Sequence, residues 1–287
     1  IRMVGIESSY GGPNSLAMSI VVSLPFALFL WRHRAGFVVS WPEKWAKRYF
    51  NLLKVYGLLA LCSIVMTNSR SGMVSFLFFL LLLLVSTKGF LKKMGFVIGG
   101  IILLGMVWFF MPVENQERMR TIWAPEEGPQ NAQVSADGRV EGFKAGMEMF
   151  EKYPFAGAGL GNFVDYRVNH LDGIPLQAHN LAGQLLGEMG LLGAIPFLLM
   201  VIATFASCSS IKRIAKARMK DPEFWVDFAT ACRDSVLLLF FTGIFGHNML
   251  RYNWLWAAAF TAKGAYFLQN TATERGQEGR RAFRKDI

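Results

Sequence analysis

The sequence predicts an all-α protein, a polytopic bundle of membrane-spanning helices, on three grounds. Of its 287 residues, 53% are hydrophobic and 17% are charged, whereas charged residues make up about 25% of an ordinary soluble domain. The mean hydropathy is +0.33. Several apolar runs approach the roughly 20 residues that a helix needs to cross about 30 Å of hydrocarbon. This composition excludes a disordered chain, a collagen-like fibre and a small disulfide scaffold, and it argues against a soluble enzyme.

Hydropathy and the residues at helix ends predict about seven spans in this chain. Tryptophan and tyrosine mark several span ends, as expected at a membrane interface; examples are Trp31, Tyr56, Trp108 and Trp254. The predicted spans are residues 15–31, 52–67, 72–87, 94–111, 181–207, 233–250 and 253–269. Because the first residue is Ile1 rather than methionine, we expect further helices upstream.

These spans divide the chain into four parts. Residues 1–111 hold transmembrane helices 1–4, and residues 179–270 hold transmembrane helices 5–7. A long loop at 112–178 separates the two groups, and a basic tail follows at 271–287.

The distribution of basic residues orients the predicted spans. Lys and Arg concentrate in the segments 32–50, 88–93 and 208–232 and in the tail, and all four fall on one side of the seven-span arrangement. Because cytoplasmic loops carry an excess of Lys and Arg, this side is predicted to be cytoplasmic. The same bias explains the net charge of +10 without nucleic-acid binding. The loop at 112–178 then lies on the outer side.

The outer loop is long enough that we expect it to have a function. Its first part, residues 112–136, is rich in Pro, Glu, Gln and Asn and is predicted to be mobile. Its second part, residues 137–152, is predicted to be an amphipathic helix over the outer mouth of the bundle. Apolar side chains recur there at helical spacing, namely Val140, Phe143, Met147 and Phe150. The glycine-rich segment PFAGAGLGNF at 154–163 ends this helix.

Two arginines on the outer side are candidate anion ligands. Arg70 lies in TNSRSG between two spans, where an arginine is costly and is usually functional; the alternative is an arginine that snorkels to the interface. Arg139 opens the amphipathic helix, so that its guanidinium and the first backbone N–H groups could hold a phosphate together. The alternative for Arg139 is an exposed side chain paired with Glu141 or Asp137, and the local sequence alone favours that alternative.

The fifth predicted span begins with a candidate general base. His179 lies at the outer end of this span, and an imidazole pKa near about 6.5 suits proton abstraction; the alternative is a histidine that caps the helix. Asn180, Gln184 and Glu188 follow at helical spacing and should face the bundle interior, since lipid exposure of a carboxylate is costly. We interpret Glu188 as structural. A second stripe of small residues allows close helix approach: Gly183, Gly187 and Gly190.

The end of the sixth predicted span carries a second outer polar group. His247 and Arg251, with Asn248 between them, could complete an anion site or could be ordinary interfacial residues, and both interpretations stay open. No metal and no cofactor are expected, because the histidines show no metal-ligand spacing. The cysteines lie far apart and favour neither a disulfide nor a zinc site; they are Cys62, Cys208 and Cys232.

Four sequence blocks together resemble the bacterial O-antigen ligase and O-antigen polymerase superfamily of membrane proteins. The block AHNLAGQLLGEMGLLG carries a His, an Asn and a GxxG pair at the family's spacing, here His179, Asn180, Gly190 and Gly193. Pro196 departs from the residue that ligases often carry, which weakens the ligase assignment more than the superfamily assignment. The other blocks are GGPNSLA at 11–17, TNSRSGMVSFLFFLLLL at 67–83 and GRVEGFKAGMEMFEKYPFAGAGLGNF at 138–163.

The resemblance implies a glycosyltransferase of the bacterial inner membrane whose active site faces the periplasm. Members are expected to move a glycan from undecaprenyl diphosphate to a hydroxyl of lipid A–core, a growing polymer or a protein, without a metal and with inversion. By matching positions, Arg70 and Arg139 would bind the donor diphosphate and His179 would be the general base. Ligase, polymerase and protein oligosaccharyltransferase stay open. A flippase for a lipid-linked saccharide is the alternative of another class, although the repeats typical of transporters are not evident.

Overall fold

The computed structural model of the protein describes residues 3–4, 12–124 and 130–283, and describes side chains at 3–4, 12–124 and 137–270. All regular structure in these residues is helical, which confirms the predicted all-α class. The helices in chain order are α1 (Pro13–Arg32), α2 (Arg34–Phe37), α3 (Glu43–Met66), α4 (Arg70–Ser86), α5 (Phe90–Phe110), α6 (Val113–Arg120), α7 (Gln130–Lys152), α8 (Phe163–His170), α9 (Leu181–Arg218), α10 (Glu223–Gly243) and α11 (Asn253–Phe283).

Four of these helices are long and apolar enough to cross a membrane. They are α1, α3, α5 and α9, and the shorter apolar helix α4 follows α3 directly. The predicted spans 233–250 and 253–269 correspond to α10 and α11, but α10 ends at Gly243 rather than at 250. The reason is a hydrogen bond that turns the chain back, from Asn248 Nδ2 to the Leu239 carbonyl at 2.7 Å. The count of seven spans and their sidedness stay predictions.

The main core lies where α1, α4, α9 and α10 meet. Val21, Phe76, Leu185 and Val236 come from these four helices and are all nearly fully buried. Helices α3 and α11 pack against the same core through Ile64 and Ala257 among others. Among the described helices, α5 buries no residue. The side chains of the predicted basic tail at 271–287 lie outside the described residues.

The outer loop is more helical than the sequence predicts. The part predicted to be mobile, 112–136, contains α6, and the amphipathic helix begins at Gln130 rather than at 137. Val140 and Phe143 of the predicted apolar stripe are exposed. Small residues on the buried face let α7 approach the backbone that leads into α9. A Cβ on Gly142 would lie 2.2 Å from the Ala178 carbonyl oxygen.

Helix α9 breaks at Gly190, whose φ of 55° and ψ of −156° are not helical. The glycine-rich segment fills the break with main-chain hydrogen bonds. Leu191 N donates to the Pro154 carbonyl at 2.9 Å, and Gly159 N donates to the Glu188 carbonyl at 3.0 Å. Only glycine adopts such backbone angles without strain. Gly190 therefore permits the break in α9 to which the glycine-rich segment of the outer loop is hydrogen-bonded.

Candidate active site

Arg70 is the first residue of α4 and reaches the end of α6. Ser69 caps α4, with its side chain accepting a hydrogen bond from Gly72 N at 3.1 Å. Arg70 Nη1 donates to Thr121 Oγ1 at 2.7 Å, and Thr121 is the residue that ends α6. Because Thr121 Oγ1 also donates to the Arg118 carbonyl at 2.7 Å, the last turn of α6 is held beside Arg70.

Three arginines from three helices interact electrostatically. Burial lowers the pKa of the Arg139 guanidinium on α7, and the charges of Arg70 and Arg118 lower it further. Burial also lowers the pKa of Arg118 on α6. Like charges that lie near one another in a half-buried region repel each other. An anion bound among them would relieve that repulsion, so this arginine cluster of Arg70, Arg118 and Arg139 suits an anionic ligand.

Arg139 is not the exposed, acid-paired residue that its local sequence favours. Within the part of the chain that the structure describes, its guanidinium makes no salt bridge to Glu141 or Asp137, and its central carbon lies 5.8 Å from the ring centre of Phe245. Arg118 was missed because the segment around it was predicted to be mobile. The only sequence feature that could have indicated Arg118 is the Arg-x-Arg pattern that it forms with Arg120. That pattern does not show which of the two arginines faces the site.

His179 precedes α9 in an unusual backbone conformation. Its φ is 51°, a left-handed conformation that is uncommon for residues other than glycine. Asn180 holds this reversal, because its Oδ1 accepts from Gly183 N at 2.5 Å and its Nδ2 donates to the Ala178 carbonyl at 3.0 Å. Burial lowers the pKa of His179, and the charges of Arg139 and Arg167 lower it further. The lowered pKa favours the neutral imidazole, which is the form that a general base needs.

His247 lies against His179. The two imidazole centres are 5.3 Å apart and their planes cross at 62°. Burial, followed by the charges of His179 and Arg251, lowers the pKa of His247 to about 4. His247 therefore contributes no positive charge near neutral pH. Arg251, the other candidate in this turn, donates from Nη1 to Ser19 Oγ on α1 at 3.0 Å.

The polar stripe on α9 is buried, in agreement with its predicted orientation. Asn180, Gln184 and Glu188 are at most 7% exposed. Gln184 Oε1 accepts from Met249 N at 3.3 Å and so ties α9 to the turn that carries His247. Glu188 Oε1 accepts from Phe163 N at 3.3 Å, which anchors the start of α8. Gln184 and Glu188 therefore hold the turn at His247 and the start of α8 against α9.

Arg167 on α8 is a buried charge that the sequence analysis did not single out. It is 0% exposed, and its Nε donates to Asp172 Oδ1 at 3.1 Å while Nη1 donates to the Leu176 carbonyl at 3.3 Å. The hydrogen bond from Arg167 lowers the pKa of Asp172. Arg167 thus fixes the segment 171–178 that leads into His179. An acid five residues after the arginine was the available sequence signal.

An apolar cavity of about 640 Å³ lies between α7, α9 and α10. Its polar lining residues are Arg139 and Asn180, and the rest are apolar, including Phe143, Leu185 and Phe240. Arg139 of the arginine cluster therefore borders an apolar space. Among the described side chains, no group of three or more His, Cys, Asp or Glu lies together as metal ligands would; the prediction that no metal takes part stays a prediction.

Comparison with known protein families identifies the family of the chain. The sequence model of a family described as O-antigen ligase matches residues 55–198, which is half of the chain. The matched range includes Arg70, Arg118, Arg139 and His179, whereas His247 lies beyond it. No curated protein and no solved structure matches the chain significantly.

Proposed function

Because the chain belongs to the O-antigen ligase family, we propose that it transfers a glycan from undecaprenyl diphosphate to an acceptor hydroxyl at the periplasmic face of the bacterial inner membrane. The acceptor is a glycan such as lipid A–core, and the reaction belongs to lipopolysaccharide biosynthesis. The observation that carries this proposal is that Arg139 interacts electrostatically both with the other arginines of the cluster and with His179. The basic residues at 32–50, 88–93 and 208–232 support a cytoplasmic location for the side of the membrane opposite the site.

The arginine cluster binds the donor diphosphate in this proposal. Undecaprenyl diphosphate leaves as a dianion or more, and the charge that develops on it needs stabilisation in the transition state. Guanidinium groups suit phosphate oxygens because their planar fork donates two parallel hydrogen bonds. Arg70, Arg118 and Arg139 come from α4, α6 and α7, so a diphosphate among them would also draw the outer loop onto the bundle.

His179 takes the proton of the acceptor hydroxyl. The hydroxyl oxygen attacks the anomeric carbon, the bond from that carbon to the diphosphate oxygen breaks, and the electron pair leaves with undecaprenyl diphosphate. The acceptor proton passes to the neutral imidazole of His179. A single displacement of this kind inverts the anomeric centre. It needs no metal if the arginine cluster carries the charge of the leaving group.

The apolar cavity beneath Arg139 receives the first part of the donor's polyprenyl chain. Its volume of about 640 Å³ and its apolar lining suit a hydrocarbon chain, because apolar surface is removed from water there. A lipid in this cavity would bring its diphosphate to Arg139 at the rim. The same donor site would serve a ligase, a polymerase or a protein oligosaccharyltransferase, so the acceptor distinguishes these three.

The test is transfer in proteoliposomes that contain the full chain and an undecaprenyl-diphosphate glycan, with EDTA present and a mixed set of acceptors. We expect release of undecaprenyl diphosphate that is lost in His179→Ala. A product with one glycan block on lipid A–core indicates a ligase, and a product of increasing length indicates a polymerase. Movement of the donor across the bilayer without diphosphate release, in folded protein, would replace this proposal with a flippase.

A further inference from the structure

His247 lies in a turn whose backbone is anchored on both sides. Asn248, the next residue, donates from Nδ2 to the Leu239 carbonyl at 2.7 Å and to Thr242 Oγ1 at 3.2 Å. Trp254 Nε1 donates to the Asn248 carbonyl at 2.9 Å. Together with the hydrogen bond from Met249 N to Gln184 Oε1 at 3.3 Å, these contacts fix the turn to α9, α10 and α11. The imidazole of His247 is therefore held at a defined place beside His179.

His247 contacts His179 through its ring and not through a hydrogen bond. Its Nδ1 is buried and has no hydrogen-bond partner among the described residues. The tilted contact with the His179 ring at 5.3 Å is of the kind that aromatic pairs prefer.

We propose that His247 is a positioning residue, whose ring holds the imidazole of His179 in the orientation that proton transfer requires. This inference rests on the proposed function. It assigns His247 a role other than that of an anion ligand. It also makes the turn between α10 and α11 part of the catalytic apparatus, although this turn lies outside residues 55–198, which the family model matches.

The charges around the pair explain why a neutral ring suits this position. His179 faces Arg139 from α7 and Arg167 from α8, and His247 faces Arg251 from its own turn. When His179 takes the proton of the acceptor hydroxyl, its imidazole becomes positively charged. It then adds a further cation to those of the three arginines. A second imidazolium at His247 would repel it, whereas a neutral ring leaves the proton on His179 and still restrains the ring.

The test compares His247→Phe with His247→Gln. Phenylalanine keeps a ring of similar size and has no nitrogen, whereas glutamine keeps hydrogen-bonding groups and has no ring. If ring contact is the role of His247, we expect transfer by His247→Phe to stay within about threefold of wild type and kcat of His247→Gln to fall by at least about tenfold with KM less affected, since small misplacements of a reacting group can cost about 100-fold.

A second measurement reads the orientation of His179 without any activity. Full-length protein in lipid nanodiscs is treated with diethyl pyrocarbonate, which modifies neutral imidazoles, and the modification of each histidine is followed by peptide mass spectrometry. We expect faster modification of His179 in His247→Gln, and a rate in His247→Phe within about twofold of wild type, because the Phe ring still restrains it. Exposed His170 serves as the internal control in the same digest.

Two results would overturn the inference. The first is transfer that survives in His247→Gln but not in His247→Phe, which would assign His247 a hydrogen-bonding role. The second is equal modification of His179 in wild type and His247→Gln, which would mean that the ring does not restrain it. If the protein transfers no glycan at all, the modification rates still decide whether His247 restrains His179, so failure of the proposed function and failure of this inference remain separate.

Discussion

Gly146 of α7 lies against the backbone of Gly183 of α9, and a Cβ on Gly146 would lie 2.5 Å from the Gly183 carbonyl oxygen. This close approach determines the geometry of the candidate site. Arg139 is carried by α7, and His179 directly precedes α9. The two helices can bring these residues into electrostatic contact only because no side chain separates them at this level.

Gly146→Ala should therefore damage both stability and activity. Alanine normally stabilises a helix relative to glycine by roughly 1 kcal/mol, but here the new methyl group would overlap backbone that cannot move away. We expect a lower Tm and at least about a tenfold loss of transfer, as overpacking in a dense interior predicts. The matched control is Gly138→Ala on the same helix, whose Cβ would meet only Leu176 Cδ1 at 3.9 Å. Equal Tm values for the two variants would refute the close-contact explanation.

Arg118 should be as important as Arg70 and Arg139, although it lies in a segment that the sequence predicts to be mobile. Removal of one charge-stabilising donor typically costs about 100-fold to 1,000-fold in kcat, so we expect Arg118→Gln to lose at least about tenfold in transfer. Arg120→Gln, two residues later on α6 and exposed, should stay near wild type. If the two variants behave alike, Arg118 contributes only to the overall positive charge and is not a donor ligand.

The pH dependence of transfer should follow the lowered pKa of His179. A base must be deprotonated, and burial with Arg139 and Arg167 places the pKa of His179 below its ordinary 6.5. Activity should therefore persist as the pH falls through 6.5 and should decline only in more acidic solution. The measurement is kcat/KM as a function of pH. An acidic limb with its midpoint above 6.5 would show that the arginines do not act on the base.

Glu188 should prove structural rather than catalytic. Its Oε1 accepts from Phe163 N, and glutamine retains an oxygen at this position whereas alanine does not. We expect transfer by Glu188→Gln to stay within about threefold of wild type. We expect Glu188→Ala to lower the free energy of unfolding by about 1–3 kcal/mol, since a buried N–H loses its acceptor. A large loss of kcat in Glu188→Gln at unchanged Tm would instead indicate that the carboxylate takes part in the reaction.

Asp172 should contribute to stability through buried Arg167. Its lowered pKa means that the contribution is present above the pKa of the unfolded chain and is lost as the pH falls through the folded pKa. Asp172→Asn should lower Tm near neutral pH, because the Arg167 charge loses its acid partner, and the difference from wild type should shrink in acid. Asp165→Asn on α8, where Asp165 is exposed, is the control. A pH-independent difference in Tm would argue against this ion pair.

The sequence could predict the residues that are unusual for their surroundings. Arg70 and His179 stand out because polar groups at a membrane boundary are costly, and the residues around them also carry the family resemblance. The buried face of α7 was not predictable from apolar spacing, because Gly142 and Gly146 bury backbone rather than large side chains. The position of Arg118 depends on the contact between Arg70 and Thr121, which joins residues 51 apart in the chain.

The central claim is that the arginine cluster binds the donor diphosphate while His179 performs proton transfer, and separate measurement of binding and transfer tests it most directly. Binding of undecaprenyl diphosphate to the full chain in nanodiscs would be compared among wild type, His179→Ala and Arg139→Lys, alongside transfer from the glycan-loaded donor. We predict that His179→Ala binds within about threefold of wild type but transfers at least about 100-fold more slowly, and that Arg139→Lys binds at least about tenfold more weakly because lysine lacks the planar fork. Wild-type binding by Arg139→Lys, or full transfer by folded His179→Ala, would contradict the account.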